Sequence, residues 1–295
     1  MAVIDIFDQG WTINPNGAAY VMDDKAYSFA EIRELTCRIA HALLGHGLPK
    51  ETKVAVWSLN DPIAWACVLG VWRAGMTWVP VNPSSSLEDN TYILDTFDCE
   101  ILFFQKAFTS LVEEIRPGLA MLRQTICLED SLDEAVSLAE FIAGQPTTAP
   151  AVDHHADDVV MLGPTGGTTG MPKGVMNTNR NLQTFFAQYS MAATYRPGEP
   201  AINLAAAPMT HAAGAISLPT TARGGTVVIL TRPQPAALLD AIERHRVTEL
   251  FLPPTVIYML LDHPGVETRD FSSLRYFVYG AAPMSIEKLR QAIEV

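Results

Sequence analysis

Lys173 closes a run that a packed core would not select: Thr165, Gly166, Gly167, Thr168, Thr169, Gly170, Met171, Pro172, Lys173 and Gly174 in succession. On either side lie short apolar, β-prone pieces, Val159 to Leu162 before it and Val175-Met176 after it. A Gly/Thr-rich loop between strands is how a chain builds an anion cradle. Glycine lets successive backbone N–H groups converge on one oxygen-rich ligand, threonine adds hydroxyl donors, and lysine supplies a mobile point charge. Pro172 stiffens the segment just before that lysine. The chemistry fits a polyphosphate.

Two familiar phosphate loops are excluded by spacing. A Walker loop needs glycine before its lysine and Ser or Thr after it, whereas Lys173 stands between Pro172 and Gly174. No Gly-x-Gly-x-x-Gly opens a helix here either, so the dinucleotide fingerprint fails. His211, in Pro208-Met209-Thr210-His211-Ala212-Ala213-Gly214, and the small-residue turn Gly280-Ala281-Ala282-Pro283 are further candidates. The turn follows a strand expected over 274–279, and strand carboxyl ends are where open α/β sheets bind ligands.

The elements that must position these residues alternate along the chain. Ala18 to Val21 reads as part of an early strand pair. Ser28 with Glu31 is a capping box, opening a helix that Gly45 and Gly47 end. Strands are expected at 53–59, 77–81, 101–104, 125–128, 203–207, 226–230 and 248–252, with helices at 61–74, 90–97, 181–193, 236–246, through 261, and 285–294. Such alternation predicts an α/β fold of mainly parallel sheets flanked by helices, joined by right-handed crossovers.

Composition sets the outer bounds. Hydrophobic residues at 48% and charged residues at 18% describe a well-buried globular chain. A net charge of −12 argues against nucleic acid or an anionic membrane as partner, so local donors must capture an anionic substrate. Cys37, Cys67, Cys99 and Cys127 show no metal or redox spacing and are expected to be buried thiols of a cytoplasmic protein. The most apolar long window, 63–81, contains Arg73 and two glycines and ends in Pro80 and Val81, which makes it a poor membrane span. Asp153, His154, His155, Asp157 and Asp158 are expected to form a solvated connector rather than a metal site.

The loop resembles the phosphate-binding signature of the AMP-forming acyl-CoA synthetase superfamily, which also holds luciferases and peptide-synthetase adenylation domains. That family's pattern is Thr-Ser-Gly-Thr-Thr-Gly-x-Pro-Lys-Gly, and Thr165 to Gly174 matches it with Gly166 in place of serine. Tyr27 to Glu31, Asn60, Ala74-Gly75 and Pro80 to Pro83 resemble its earlier landmarks, whereas Asn179 stands where the family often has histidine. The resemblance implies ATP, Mg2+ and coenzyme A as co-reactants and a carboxylic acid, fatty or aryl, as substrate. It implies catalytic roles for Lys173, Thr168 and His211. The implied binding set is Thr165, Gly166, Gly167, Thr168, Thr169, Gly170, Met171, Pro172 and Lys173, with Gly280, Ala281, Ala282 and Pro283 beside the adenine and acyl pocket.

The run of small residues from Ala212 to Ala215 suggests a roomy acid channel. A carrier-protein acceptor in place of coenzyme A, a nucleotide-binding scaffold without catalysis, and an α/β domain that binds any phosphate are kept as alternatives, and a homodimer stays open. The family's Tyr-Gly-x-Thr-Glu run, ribose aspartate, hinge and small C-terminal domain do not appear by Val295. Residues 1–295 are therefore expected to be the truncated N-terminal AMP-binding domain, weak or inactive alone.

Overall fold

The computed structural model describes residues 1–165, 173–196, 198–210 and 212–295. The chain begins with α1 (Ile4–Ile13), which the sequence analysis did not anticipate. Its N-cap, Val3, has no capping oxygen, and the Val3 N–H instead donates to Asn179 Oδ1 at 2.8 Å. This start is held by a contact 176 residues away together with a local one, Asp5 Oδ2 accepting the Ala2 N–H at 2.7 Å.

The hairpin β1 (Ala18–Met22) and β2 (Lys25–Ser28) leads into α2 (Phe29–Gly45). Ser28 caps that helix as expected: its hydroxyl accepts from the Glu31 N–H at 3.2 Å, and Glu31 Oε2 accepts from the Ser28 N–H at 2.7 Å. Then come β3 (Lys53–Trp57), α3 (Pro62–Arg73), β4 (Thr77–Val81), α4 (Leu87–Thr96), β5 (Cys99–Phe104), α5 (Thr109–Ile115), β6 (Gln124–Cys127), β7 (Val136–Ser137) and α6 (Leu138–Phe141). After a connector follow β8 (Val159–Thr165), β9 (Lys173–Thr178), α7 (Asn179–Ala192), β10 (Ile202–Ala205), α8 (Ala212–Ala222) and β11 (Thr226–Ile229). The chain closes with α9 (Pro235–His245), β12 (Glu249–Leu252), α10 (Pro254–Leu261), β13 (Tyr276–Tyr279) and α11 (Ile286–Glu294).

Among the described residues these strands make two sheets, ordered β7-β6-β5-β3-β4-β8-β9 and β13-β12-β10-β11-β1-β2. Every pairing is parallel except β1 with β2 and β8 with β9. Helices flank the sheets, and α3 is buried along its length apart from Ile63. A helix apolar all round belongs inside a core. One core cluster joins Trp65 and Trp72 of α3 to Tyr20 and Val227 of the six-stranded sheet and to Val54 and Ile101 of the other. Trp65, Trp72 and Trp78 stand edge to face with centroids 5.7 to 5.9 Å apart. The Trp72 indole N–H donates to Val160 O at 2.9 Å, which attaches this cluster to β8.

The only buried arginine of α3, Arg73, is 4% exposed and forms a fork onto Asp8 of α1, at 2.9 and 2.6 Å, while its Nε donates to Thr36 Oγ1 at 3.1 Å. Gly75 ends the helix with φ +72, a left-handed geometry that costs an L side chain energy; a Cβ there would also lie 2.9 Å from Val152.

The acidic connector is more firmly held than a solvated linker. Lys50 Nζ donates to Asp153 O at 2.6 Å and pairs with Asp158 at 2.7 Å, and Glu51 accepts the Val159 N–H. Asp153, His155 and Asp157 are exposed, but His154 is half-buried beside Gly75. Burial pushes its pKa below the ordinary value, against the opposing pull of the Asp5 and Asp158 carboxylates. The unfolded chain therefore binds a proton that the folded chain resists. Stability should fall as pH drops through about 6.5 and level off below the folded pKa. Urea midpoints at a series of pH values should show a shallower acid-side decline for His154→Asn than for the parent chain.

Candidate functional site

The Gly/Thr loop hangs from a hairpin at the edge of the seven-stranded sheet. β8 and β9 pair antiparallel, with Leu162 opposite Met176, Gly163 opposite Val175, Pro164 opposite Gly174 and Thr165 opposite Lys173. The last pair is reinforced by Thr165 Oγ1, which donates to Lys173 O at 3.2 Å. Gly166, Gly167, Thr168, Thr169, Gly170, Met171 and Pro172 lie outside the described residues, as does His211. The Thr165 and Lys173 side chains, facing each other across the β8–β9 pair, are exposed.

Direction places Thr165 and Lys173 where a ligand can reach them. β8 runs parallel to β4, which is parallel to β3, so Thr165 lies at the sheet's carboxyl edge, as does the loop after β3. In that loop Gln105 Oε1 accepts the Leu59 N–H at 2.9 Å. Asp61 caps α3 by accepting from Ile63 and Ala64 at 2.7 and 2.9 Å. Burial nonetheless raises the Asp61 pKa, the two backbone donors opposing it.

Between these two residues Asn60 reaches into the six-stranded sheet. Its Nδ2 donates to Ala207 O and to Leu230 O, each at 3.0 Å, and its Oδ1 accepts the Met209 N–H at 2.8 Å. Ala207 follows β10 and Leu230 follows β11, so one carboxamide clasps two adjacent strand ends of one sheet from the strand end of the other. The sequence analysis noted Asn60 only as a landmark; a lone asparagine between strand and helix carries no local signal of such a partner.

The segment after β10 turns tightly into α8, a helix the sequence analysis left as a run of small residues. A Cβ on Gly214 would lie 2.4 Å from Met209 O and 2.6 Å from the Trp65 ring, so the backbone approach there requires glycine. Ala213 and Gly214, two of the four small residues read as lining a roomy acid channel, are buried. At its other end α8 is tied to β12 through buried Glu249, which accepts from Thr220 Oγ1 at 2.8 Å and pairs with Arg223.

Gly280, Ala281, Ala282 and Pro283 leave the carboxyl end of β13 in the six-stranded sheet, with Ala281, Ala282 and Pro283 exposed. Ala281 has φ +68, which costs an alanine about 1–2 kcal/mol. Strain of this kind gathers where a backbone is shaped for a ligand. Ala281→Gly should stabilise the chain by about 0.5–1 kcal/mol, the relief being partly offset by glycine's larger loss of chain entropy. Thermal unfolding of the two proteins side by side measures it.

Two stacked, mainly parallel sheets carry the β8–β9 hairpin at the carboxyl edge of one and a small-residue turn after β13 at that of the other, the edge where open α/β sheets bind ligands. The chain belongs to the AMP-binding enzyme family, which matches residues 7–295. A medium/long-chain fatty acid–CoA ligase of Mycobacterium tuberculosis, FadD8, is 34% identical over 81% of this chain and 43% of its own length. A feruloyl-CoA synthase of Amycolatopsis is 30% identical over 92% of this chain and 52% of its own. Among solved structures, the amide bond synthetase McbA of Marinactinospora thermotolerans superposes with a TM-score of 0.88 at 27% identity, over 100% of this chain and 57% of that one. The chain spans about half the length of these relatives.

Three expectations hold. The fold is the stacked α/β architecture, the four cysteines are free and buried, and no described helix is long and apolar enough to cross a membrane.

Proposed function

We propose that the whole protein is an AMP-forming acid–thiol ligase that activates a fatty or aryl carboxylic acid. A carboxylate oxygen attacks the α-phosphorus of ATP and the bond to pyrophosphate breaks. The coenzyme A thiol then attacks the acyl carbonyl, AMP departs, and the thiol proton passes to solvent. The observation that carries this reading is the β8–β9 pair, which sets Thr165 opposite Lys173 at a sheet's carboxyl edge, at the two ends of a sequence that resembles the family's phosphate loop.

No nucleophilic side chain is needed, because the acid supplies the attacking oxygen; catalysis is positioning and charge stabilisation. Lys173, Thr165, Thr168, Thr169 and the loop amides would hold the leaving pyrophosphate. His211 would line the passage between acid and nucleotide, and Gly280 to Pro283 would border the adenine. The described residues gather no cluster of three His, Cys, Asp or Glu side chains. Magnesium would arrive with the triphosphate, as part of the substrate.

The names of the relatives favour coenzyme A as acceptor and a medium-to-long or aromatic acid. One relative of 28% identity, however, is named a fatty acid–acyl-carrier-protein ligase, which keeps the carrier arm as the second reading. Residues 1–295 form the AMP-binding portion in this reading, in a cytoplasmic protein, and are expected to be weak or inactive alone. Acid-dependent ATP–pyrophosphate exchange on the complete reading frame, over a panel of fatty and aryl acids, is the test. Exchange with some acids supports the ligase; ATP binding without exchange for any acid would leave a nucleotide-binding scaffold.

A further inference from the structure

We infer that Asn60 is a positioning residue for the acid side of the reaction: it holds the backbone at Ala207 and Met209, just before His211 in sequence, in register with the seven-stranded sheet that carries Thr165 and Lys173. The inference rests on the ligase reading above.

Three features carry it. The Asn60 side chain is 6% exposed and both ends of its carboxamide are engaged, the amide by two carbonyls and the oxygen by one N–H. All three partners lie past the ends of β10 and β11, and the accepted N–H belongs to Met209, two residues before His211. Asn60 itself is anchored from the other sheet, by Gln105 on its neighbour Leu59 and by the Asp61 cap of α3.

A carboxamide buried with every group satisfied fixes a geometry; replacing it leaves two carbonyls and an amide without partners. The carbonyl of Met209 in turn abuts Gly214 at the head of α8, so movement at 209 is transmitted to the first turn of that helix. The phosphate loop is reached from the opposite direction, through β3, β4 and β8. Loss of the clasp therefore loosens the acid side against a phosphate side left in place.

The experiment compares the parent protein, Asn60→Ala and Asn60→Asp, each on the complete reading frame. Asn60→Asp keeps the acceptor for Met209 but sets an oxygen against the carbonyls of Ala207 and Leu230. Expected are a drop of about 10- to 100-fold in kcat/KM for the acid and ATP affinity within threefold of the parent. Faster hydrogen exchange should be confined to peptides covering 206–214. Acid kcat/KM within threefold of the parent in both variants overturns the positioning role. So does an equal loss toward acid and ATP with faster exchange throughout the chain, which marks a purely structural residue. A parent protein with no acid-dependent exchange overturns the ligase reading itself, and the positioning role with it.

Discussion

Lys173→Ala is expected to lower acid-dependent ATP–pyrophosphate exchange by about 10²- to 10³-fold, the usual loss when one fixed charge or donor is removed from a site of developing negative charge. The fold should survive the change. The Lys173 side chain is exposed, and what holds the residue in β9 is its backbone, paired with Thr165 and reached by the Thr165 hydroxyl. Removing an exposed side chain of that kind shifts stability by no more than about 0.5 kcal/mol. Activity and unfolding should therefore separate: a steep fall in exchange with an unchanged urea midpoint. Lys173→Arg keeps the charge but spreads it over a planar fork, so intermediate activity is expected. Parent-like exchange in Lys173→Ala would remove this lysine from the mechanism. With a chain of net charge −12, its role is the larger because the molecular field as a whole opposes an incoming triphosphate.

The second large effect concerns stability. Asp8→Ala should cost about 3 kcal/mol, at the lower end for breaking a buried pair because Asp8 keeps some contact with water. Arg73 is the partner left behind, in a helix buried apart from Ile63, and among the described residues the Thr36 hydroxyl alone is still bonded to it. Arg33, 3.5 Å from Asp8, loses its neighbour as well. A second variant separates the charge from the packing. Asp8→Leu combined with Arg73→Met replaces the pair by apolar groups, and such replacements are near neutral or stabilising, so most of the loss should be recovered. Urea unfolding of the parent, the single and the double variant decides it. Equal destabilisation in both variants would show that shape, not an orphaned charge, is what the site requires.

The parts of the fold legible in the sequence are those specified by neighbours in the chain. Ser28 and Glu31 announce α2 because both halves of the capping box lie within one turn. The parallel strands are readable as short apolar runs bounded by turn residues, β3 and β4 among them. What escaped is what distant residues specify. The start of α1 depends on Asn179, and that asparagine, fully buried, also donates to His155 O at 2.9 Å. Its side chain is a fastener between α1, the connector and α7.

Helix α8 escaped for a different reason. Enclosed on nearly every side and interrupted by Pro219, it has no polar face to give a helical period. Within the site, the phosphate reading rests on loop composition alone, because residues 166–172 lie outside the described residues. Asn60 was legible only as a residue in a familiar order, because its partners lie 147 to 170 positions away.

The placement of β1 has a consequence for how the molecule is made. Its strand neighbour on one side is β2, next in sequence, but on the other it is β11, where Thr226 Oγ1 bonds Ala18 O across 208 residues of chain. At ordinary ribosomal speeds that interval takes about 10–40 s. Throughout it the first hairpin has left the ribosome with one edge unpaired, while the whole seven-stranded sheet is synthesised before its partner arrives. Until β11 is made, the edge of β1 stays open to pairing with other chains.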